Sequence, residues 1–200
     1  MSMRRPALDI AVAGGGMVGA ACALILARRG FAVALLEARE PAAWFAGEPG
    51  DLRVIALAPS SARLLDELGV WRQIESSRVS PYRRMRVWDA ATGAEIEFDA
   101  ARDGRAQLGW IVENKLVAWT LWNALDAAGV RRVCPAQVAA FARREDRVTL
   151  DLEDGNAVSA AMLVIADGAG SRLRAQADVR VREHDYHQRA VVAHVATERP

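Results

Sequence analysis

An α/β fold built around a parallel sheet is predicted by three features of this chain. An apolar strand, Asp9–Ala13, runs into a glycine-rich turn and a helix; a second apolar strand ends in an acid, Glu37; and a later apolar run, Met162–Ala166, again opens into a polar turn. Parallel neighbours need a crossover connection, so strand, turn, helix and strand in this order are the repeating unit of such a sheet. Length and composition agree, because 200 residues with 52% hydrophobic and 26% charged side chains describe a globular chain able to bury a substantial core.

The turn is Gly14-Gly15-Gly16-Met17-Val18-Gly19, a G-x-G-x-x-G pattern opening a helix from about Met17 to Arg29. Gly14 permits the tight exit from the strand, Gly16 leaves its backbone open to a pyrophosphate, and Gly19 lets the helix lie close on the sheet. The helix start then points unpaired N–H groups and a positive dipole end at the phosphates. Glu37 closes the next strand, Ala32–Leu36, where a carboxylate can accept from both hydroxyls of an adenosine ribose and would repel a 2'-phosphate. The expected tight ligand is therefore FAD or NAD(H), and not NADP(H).

The remaining elements follow in order. Pro41–Gly50 reads as a loop, and Pro59 opens a helix with Leu64, Leu65 and Leu68 on one face, stopped by Gly69. Met85–Trp88 and Glu95–Phe98 alternate around Thr92-Gly93 as a hairpin does. A second amphipathic helix is predicted from Asn114 to Ala128, closed by Gly129, with Trp119 and Trp122 in the core. From Val130 the pattern is extended: Arg147–Leu152 and Ala157–Ser159 flank the hairpin turn Asp154-Gly155, and Met162–Ala166 reads as a separate buried strand. That strand delivers Asp167-Gly168-Ala169-Gly170-Ser171 to the C-terminal edge of the sheet, where ligands of open α/β sheets gather, and Arg172–Arg174 begins a helical turn.

Several functions are disfavoured. A formal net charge of +1 with scattered basic residues gives no electrostatic footprint for nucleic acid. No apolar run is long enough for a bilayer, and the first residues lack a signal-peptide core, so a cytoplasmic location is expected. Cys22 and Cys134 form no C-x-x-C, which disfavours disulfide-reductase chemistry. His184, His187 and His194 have no acid or cysteine spacing that completes a metal site, and none is expected.

Gly14-x-Gly16-x-x-Gly19 with Glu37, then Asp51-Leu52-Arg53-Val54-Ile55-Ala56-Leu57, then Ile111-Val112-Glu113-Asn114, then Asp167-Gly168-x-x-Ser171-x-x-Arg174 occur in this order along almost the whole chain. In this the sequence resembles the FAD-dependent aromatic hydroxylases, and within them the ubiquinone-biosynthesis branch. The resemblance implies a Rossmann-like FAD-binding domain of the aromatic-hydroxylase type with an inserted or following β-sheet region, truncated here. It implies a domain over 1–180, non-contiguous in the family, and over 181–200 the start of a substrate-binding sheet. It places Gly14, Gly15, Gly16, Met17, Val18 and Gly19 at the FAD pyrophosphate, Glu37 at the ribose, Arg53 along the flavin, Asn114 in polar contact with FAD, and Asp167 and Gly168 near both FAD and the path of NAD(P)H. No side chain is assigned a catalytic role, and Arg174 is read as structural.

The implied reaction uses NAD(P)H as electron donor, FAD and O2 to put one oxygen on a phenol-like ring, the other leaving as water. The implied substrate is a polyprenylated phenol or quinol, with peripheral contact at the inner face of a membrane, other ubiquinone-biosynthesis proteins as partners, and an oligomeric state. Ile165 departs from the pattern, standing where relatives commonly carry glycine, and a second flavin motif is expected beyond Pro200. The 200-residue chain is accordingly expected to fold its nucleotide-binding core, hold FAD weakly or not at all, self-associate and lack hydroxylase activity. The readings kept beside this one are an NAD-dependent dehydrogenase of simple Rossmann type, which the hairpin after Val130 disfavours, and a nucleotide-binding partner without activity.

Overall fold

A computed structural model describes residues 8–195 and 198. In chain order its elements are β1 (Leu8–Ala13), α1 (Met17–Arg28), β2 (Val33–Leu36), β3 (Val54–Leu57), α2 (Pro59–Glu67), α3 (Trp71–Glu75), β4 (Val79–Tyr82), β5 (Arg84–Trp88) and β6 (Glu95–Asp99). They continue with β7 (Gly109–Glu113), α4 (Asn114–Ala127), β8 (Arg131–Val133), β9 (Val138–Arg143), β10 (Val148–Leu152), β11 (Ala157–Ile165) and α5 (Arg172–Gln176). The chain divides into two compact units, Met1–Ala43 with Leu121–Pro200, and Trp44–Thr120.

The first unit is a six-stranded sheet in the order β8-β2-β1-β11-β10-β9. Its four strands β8, β2, β1 and β11 run parallel, whereas β10 pairs antiparallel with both β11 and β9. The strands closest to the turn are built from small and branched residues, with Ala11, Val12, Ala13, Ala34, Leu35 and Leu36 all buried, as strands covered on both faces require. Helix α1 sets Gly19, Ala20, Ala23 and Leu24 inward. Its small inner face permits a very close approach: a Cβ on Gly19 would lie 1.9 Å from the Gly14 carbonyl oxygen.

One predicted boundary is corrected. The second hairpin arm and the separate buried strand are one nine-residue strand, β11, because Ala160 pairs with Val148 of β10 on one edge and with Leu8 of β1 on the other. The two residues between the predicted pieces, Ala160 and Ala161, are not turn formers, so nothing interrupts the pleat. Met162, expected in the core, is exposed, while Val158 and Ala160 are buried. Likewise only Trp122 of the two α4 tryptophans is fully buried; Trp119 is half-buried.

The second unit holds a three-stranded antiparallel sheet, β3-β7-β4, and the two-stranded hairpin β5-β6. Strands β3, β4 and β7 and the short helix α3 are additions to the sequence reading, and Ile111–Glu113 proves to be strand, with the helix starting at Asn114. Gly69 and Gly93 take φ of +71°, the left-handed conformation that the predicted helix stop and hairpin turn need. Residues 179–195 carry no helix or strand.

Candidate functional site

Within the first unit, the C-terminal ends of β1, β2 and β11 meet the N-terminus of α1. Gly14 follows β1 at φ +105°, and a Cβ there would lie 2.3 Å from the Ala166 carbonyl oxygen, so glycine is required by conformation and space alike. Its N–H donates to the Leu36 carbonyl at 2.8 Å, tying the turn to β2. Gly15 lies against a wall: its Cβ would come within 2.9 Å of both Glu37 Cβ and Trp122 Cζ3.

Gly16 is the contrary case. It sits at φ −63° and ψ 176°, open to any residue, and a Cβ on it would meet no protein atom within 4 Å. It is also the N-cap of α1 yet offers no side chain to satisfy the first N–H groups, and the first helical turn contains no acid. The protein itself does not need glycine at this position. Space left free at a bare helix N-terminus is what a phosphate-bearing ligand needs.

That space opens into a cavity of about 410 Å³ lined by Gly14, Gly16, Glu37, Asp167 and Gly168 together with Ala136–Val138. A neighbouring apolar depression of about 550 Å³ shares Gly16, Asp167 and Gly168 and is bordered by Met17 and Val18. The structure thus gathers most of the sequence-predicted site residues at one sheet edge. Gly15 and Gly19 stand behind it, one supplying an N–H to Glu37 and the other admitting the helix. Gly168 takes φ +93°, which turns the chain sharply after Asp167.

Glu37 is held on both carboxylate oxygens: Oε2 accepts from the Gly15 N–H at 2.5 Å and Oε1 from the Arg39 N–H at 3.1 Å. Its backbone is bracketed as well, the N–H donating to the Val133 carbonyl and the carbonyl accepting from Ala136. Each carboxylate oxygen keeps a second lone pair, so the side chain is oriented and remains an acceptor. Sequence reasoning placed Trp122 in the core, where it lies, but missed its role beside the turn: it packs against Gly15, donates Nε1–H to Glu40 at 2.9 Å and carries the Arg132 guanidinium 5.2 Å above its ring. Its position on the inner face of α4 was the available signal. Close by, burial and then the charges of Glu37 and Glu40 push the Cys134 thiol up from its ordinary value. Arg174, read from the sequence as structural, has its N–H capped by Ser171 Oγ at 2.9 Å and donates from its guanidinium to the Ala169 carbonyl at 2.8 Å.

Arg53 and Asn114 belong to the second unit, and pairing of β3 with β7 joins them. The Asn114 N–H donates to the Arg53 carbonyl at 2.8 Å, and Asp51 accepts from the N–H groups of Arg53 and Lys115. Asp51 therefore caps α4 and shapes the turn before Arg53. Glu113 was also missed as an individual residue: it is buried and paired with Arg78 at 2.8 Å.

Parallel strands, a glycine turn on an uncapped helix start and an oriented acid at the next strand end define a dinucleotide-binding α/β domain. The chain belongs to the FAD binding domain family, which it matches over residues 7–200. It is 39% identical over 191 residues to the 3-demethoxyubiquinol 3-hydroxylase of Escherichia coli (strain K12), covering 95% of this chain and 49% of that protein. It is 33% identical over 193 residues to the ubiquinone hydroxylase UbiL of Rhodospirillum rubrum, covering 96% and 44%. The crystal structure of FqzB shares the fold, with a TM-score of 0.70 at 22% identity over 88% of this chain and 40% of that one. The chain spans about half the length of the curated relatives it matches.

These findings support the aromatic-hydroxylase resemblance, and FAD is the family's cofactor. They set aside the simple NAD-dependent dehydrogenase, as does the sheet, whose β9-β10-β11 meander replaces alternating strand and helix. The open space at Gly16, the bare helix start and the oriented Glu37 fit FAD. Among the described residues, no helix is long and apolar enough to cross a membrane.

Proposed function

We propose that the protein carrying this domain hydroxylates the aromatic ring of a polyprenylated phenol or quinol of ubiquinone biosynthesis, with FAD as cofactor, NAD(P)H as reductant and O2 as oxidant. The names of the matched relatives supply the reaction and substrate class. The observation that carries the cofactor part is the empty space over Gly16 at the uncapped start of α1.

FAD, when bound, supplies the redox and oxygen chemistry, and the residues described here bind and orient it. The N–H groups at Gly16, Met17 and Val18 receive the pyrophosphate, with Gly14, Gly15 and Gly19 shaping the turn around them. Glu37 accepts the adenosine ribose hydroxyls. Asp167 and Gly168 border both the 410 Å³ cavity and its apolar neighbour, which suits a contact to FAD on one side and an approach for NAD(P)H on the other. Arg53 and Asn114 add polar contacts to FAD, a role that rests on the resemblance. The domain is assigned to 1–180, with 181–200 leading into a substrate sheet. A prenylated substrate brings peripheral contact with a membrane and, with it, other proteins of the pathway; the protein is proposed to be oligomeric.

The test is the flavin absorbance of the purified protein, followed by NAD(P)H oxidation with and without a prenylated phenol and by the mass of the product. A gain of one oxygen atom, dependent on FAD, is expected. A protein that binds no flavin, or that oxidises NAD(P)H without ever oxygenating a phenol, refutes the proposal.

A further inference from the structure

The second unit contains an ionic network, centred on one buried carboxylate, that the cofactor reading does not use. Glu113 ends β7 at 5% exposure, and its carboxylate has two partners: Oε2 accepts from Trp44 Nε1–H at 2.6 Å and Oε1 from Arg78 Nη1 at 2.8 Å. Arg78 uses its other arm, Nη2, on the carbonyls of Ala46 and Glu48 at 2.7 and 2.8 Å, and its guanidinium lies 5.7 Å from the Trp44 ring centre. A single carboxylate thus grips the start of the 44–53 segment twice, through an indole and through an arginine that bridges to two backbone carbonyls.

The far end of the same segment is fixed by the same strand. Asn114, next to Glu113 in sequence, donates its N–H to the Arg53 carbonyl, and Val54 pairs with Glu113 in the β3-β7 register. Residues 44–53 contain no helix or strand, and their internal bonds are local turns, Phe45 with Glu48 and the Arg53 N–H on Asp51, so their placement depends on partners outside the segment. Burying a charge is unfavourable unless it is paired and hydrogen-bonded, and an apolar contact would secure a loop at lower cost. What the ionic pair adds is direction, since a planar guanidinium fork accepts only one arrangement of its partners.

We propose that Glu113 is a positioning residue which, through Arg78, fixes the 44–53 segment and so sets where Arg53 presents its side chain. The inference rests on the reading of Arg53 as a flavin contact. Glu113 itself touches no cofactor in this assignment.

Glu113→Gln keeps the shape and an acceptor for Trp44 but removes the charge opposite Arg78. Hydrogen exchange on the whole chain is expected to show the Arg53 and Asn114 amides exchanging at least about tenfold faster, with β1, β11 and α1 unaltered. Unchanged exchange in the 44–53 segment overturns the proposal. FAD titration of wild type, Glu113→Gln, Arg53→Ala and the double variant is expected to give losses of about tenfold for each single change and no further loss in the double.

Additive losses, or a full-affinity Glu113→Gln beside a weakened Arg53→Ala, overturn the positioning role. In the protein carrying this domain, an Arg53→Ala change that leaves FAD binding as in wild type, or a wild type without saturable binding, overturns the underlying reading instead. Should Glu113→Gln fail to fold, Arg78→Lys preserves the charge while losing the bridge to Ala46 and Glu48. It is expected to shift exchange and affinity in the same direction, and no shift in either refutes the role.

Discussion

Gly16→Val separates binding from folding in a way the neighbouring glycines cannot. At Gly16 the backbone is extended and a Cβ meets nothing within 4 Å, so the added side chain projects into open space. Stability should therefore change by no more than about 0.5 kcal/mol, or about 2 °C in Tm for a chain of this size. The same side chain occupies the space through which a pyrophosphate approaches the first N–H groups of α1. Losing two hydrogen bonds to a charged group, at about 1.5–3 kcal/mol each, weakens FAD by about 3–6 kcal/mol, or about 10²- to 10⁴-fold. Gly14→Ala and Gly19→Ala are the controls. Their Cβ atoms would lie 2.3 Å and 1.9 Å from backbone oxygens, so both should lower Tm clearly even without ligand. Thermal melts of the apoprotein and FAD titration by fluorescence decide the matter. A Gly16→Val chain that binds FAD at wild-type affinity, or one that melts as early as Gly19→Ala, would refute the reasoning.

Glu37→Ala should weaken FAD by about 1.5–3 kcal/mol in the same titration, and an unchanged affinity would leave the acid as an anchor for the Gly15 and Arg39 N–H groups alone. Trp122→Ala removes a fully buried side chain and the floor beneath Gly15, and should cost about 3–5 kcal/mol in denaturant unfolding. Lys115 holds the Glu48 carboxyl below its ordinary value, so the pair stabilises above about pH 4.5 and its contribution disappears as pH falls through the lower folded-state value. The protection of residues 44–53, taken relative to intrinsic amide exchange at each pH, should fall on acidification in wild type, and Lys115→Met should lose most of that acid dependence. The raised Cys134 thiol should react with a thiol reagent more slowly in the folded than in the unfolded chain at pH about 8, with its rate rising later as pH increases.

The first βαβ unit was legible because each of its residues has a local reason: a positive φ at Gly14, a small helix face from Gly19 to Ala23, an acid where β2 ends. The hairpin turn at Asp154-Gly155 was equally local. What escaped the sequence was set by pairing at a distance. Strands β3, β4 and β7 are short, with a proline in β4, so no period marks them, and they become strands only by finding each other. For the same reason Glu113 and Arg78 could not be paired in advance, being 35 positions apart. The single β11 was misread as two elements because its two ends serve different partners.

That divided strand has a consequence for how the domain assembles. The β10-β11 hairpin joins residues a few positions apart and can form early, whereas β1 must find β11 across the chain, with Leu8 opposite Ala160. The cradle is finished only at that late closure, since the Ala166 N–H donates to the Ala13 carbonyl beside Gly14. A nascent chain would thus carry the glycine turn without a pocket until Ala166 has been added. Nucleotide capture becomes a report on completed topology, and a trapped ligand would slow the reopening of the long-range β1-β11 seam.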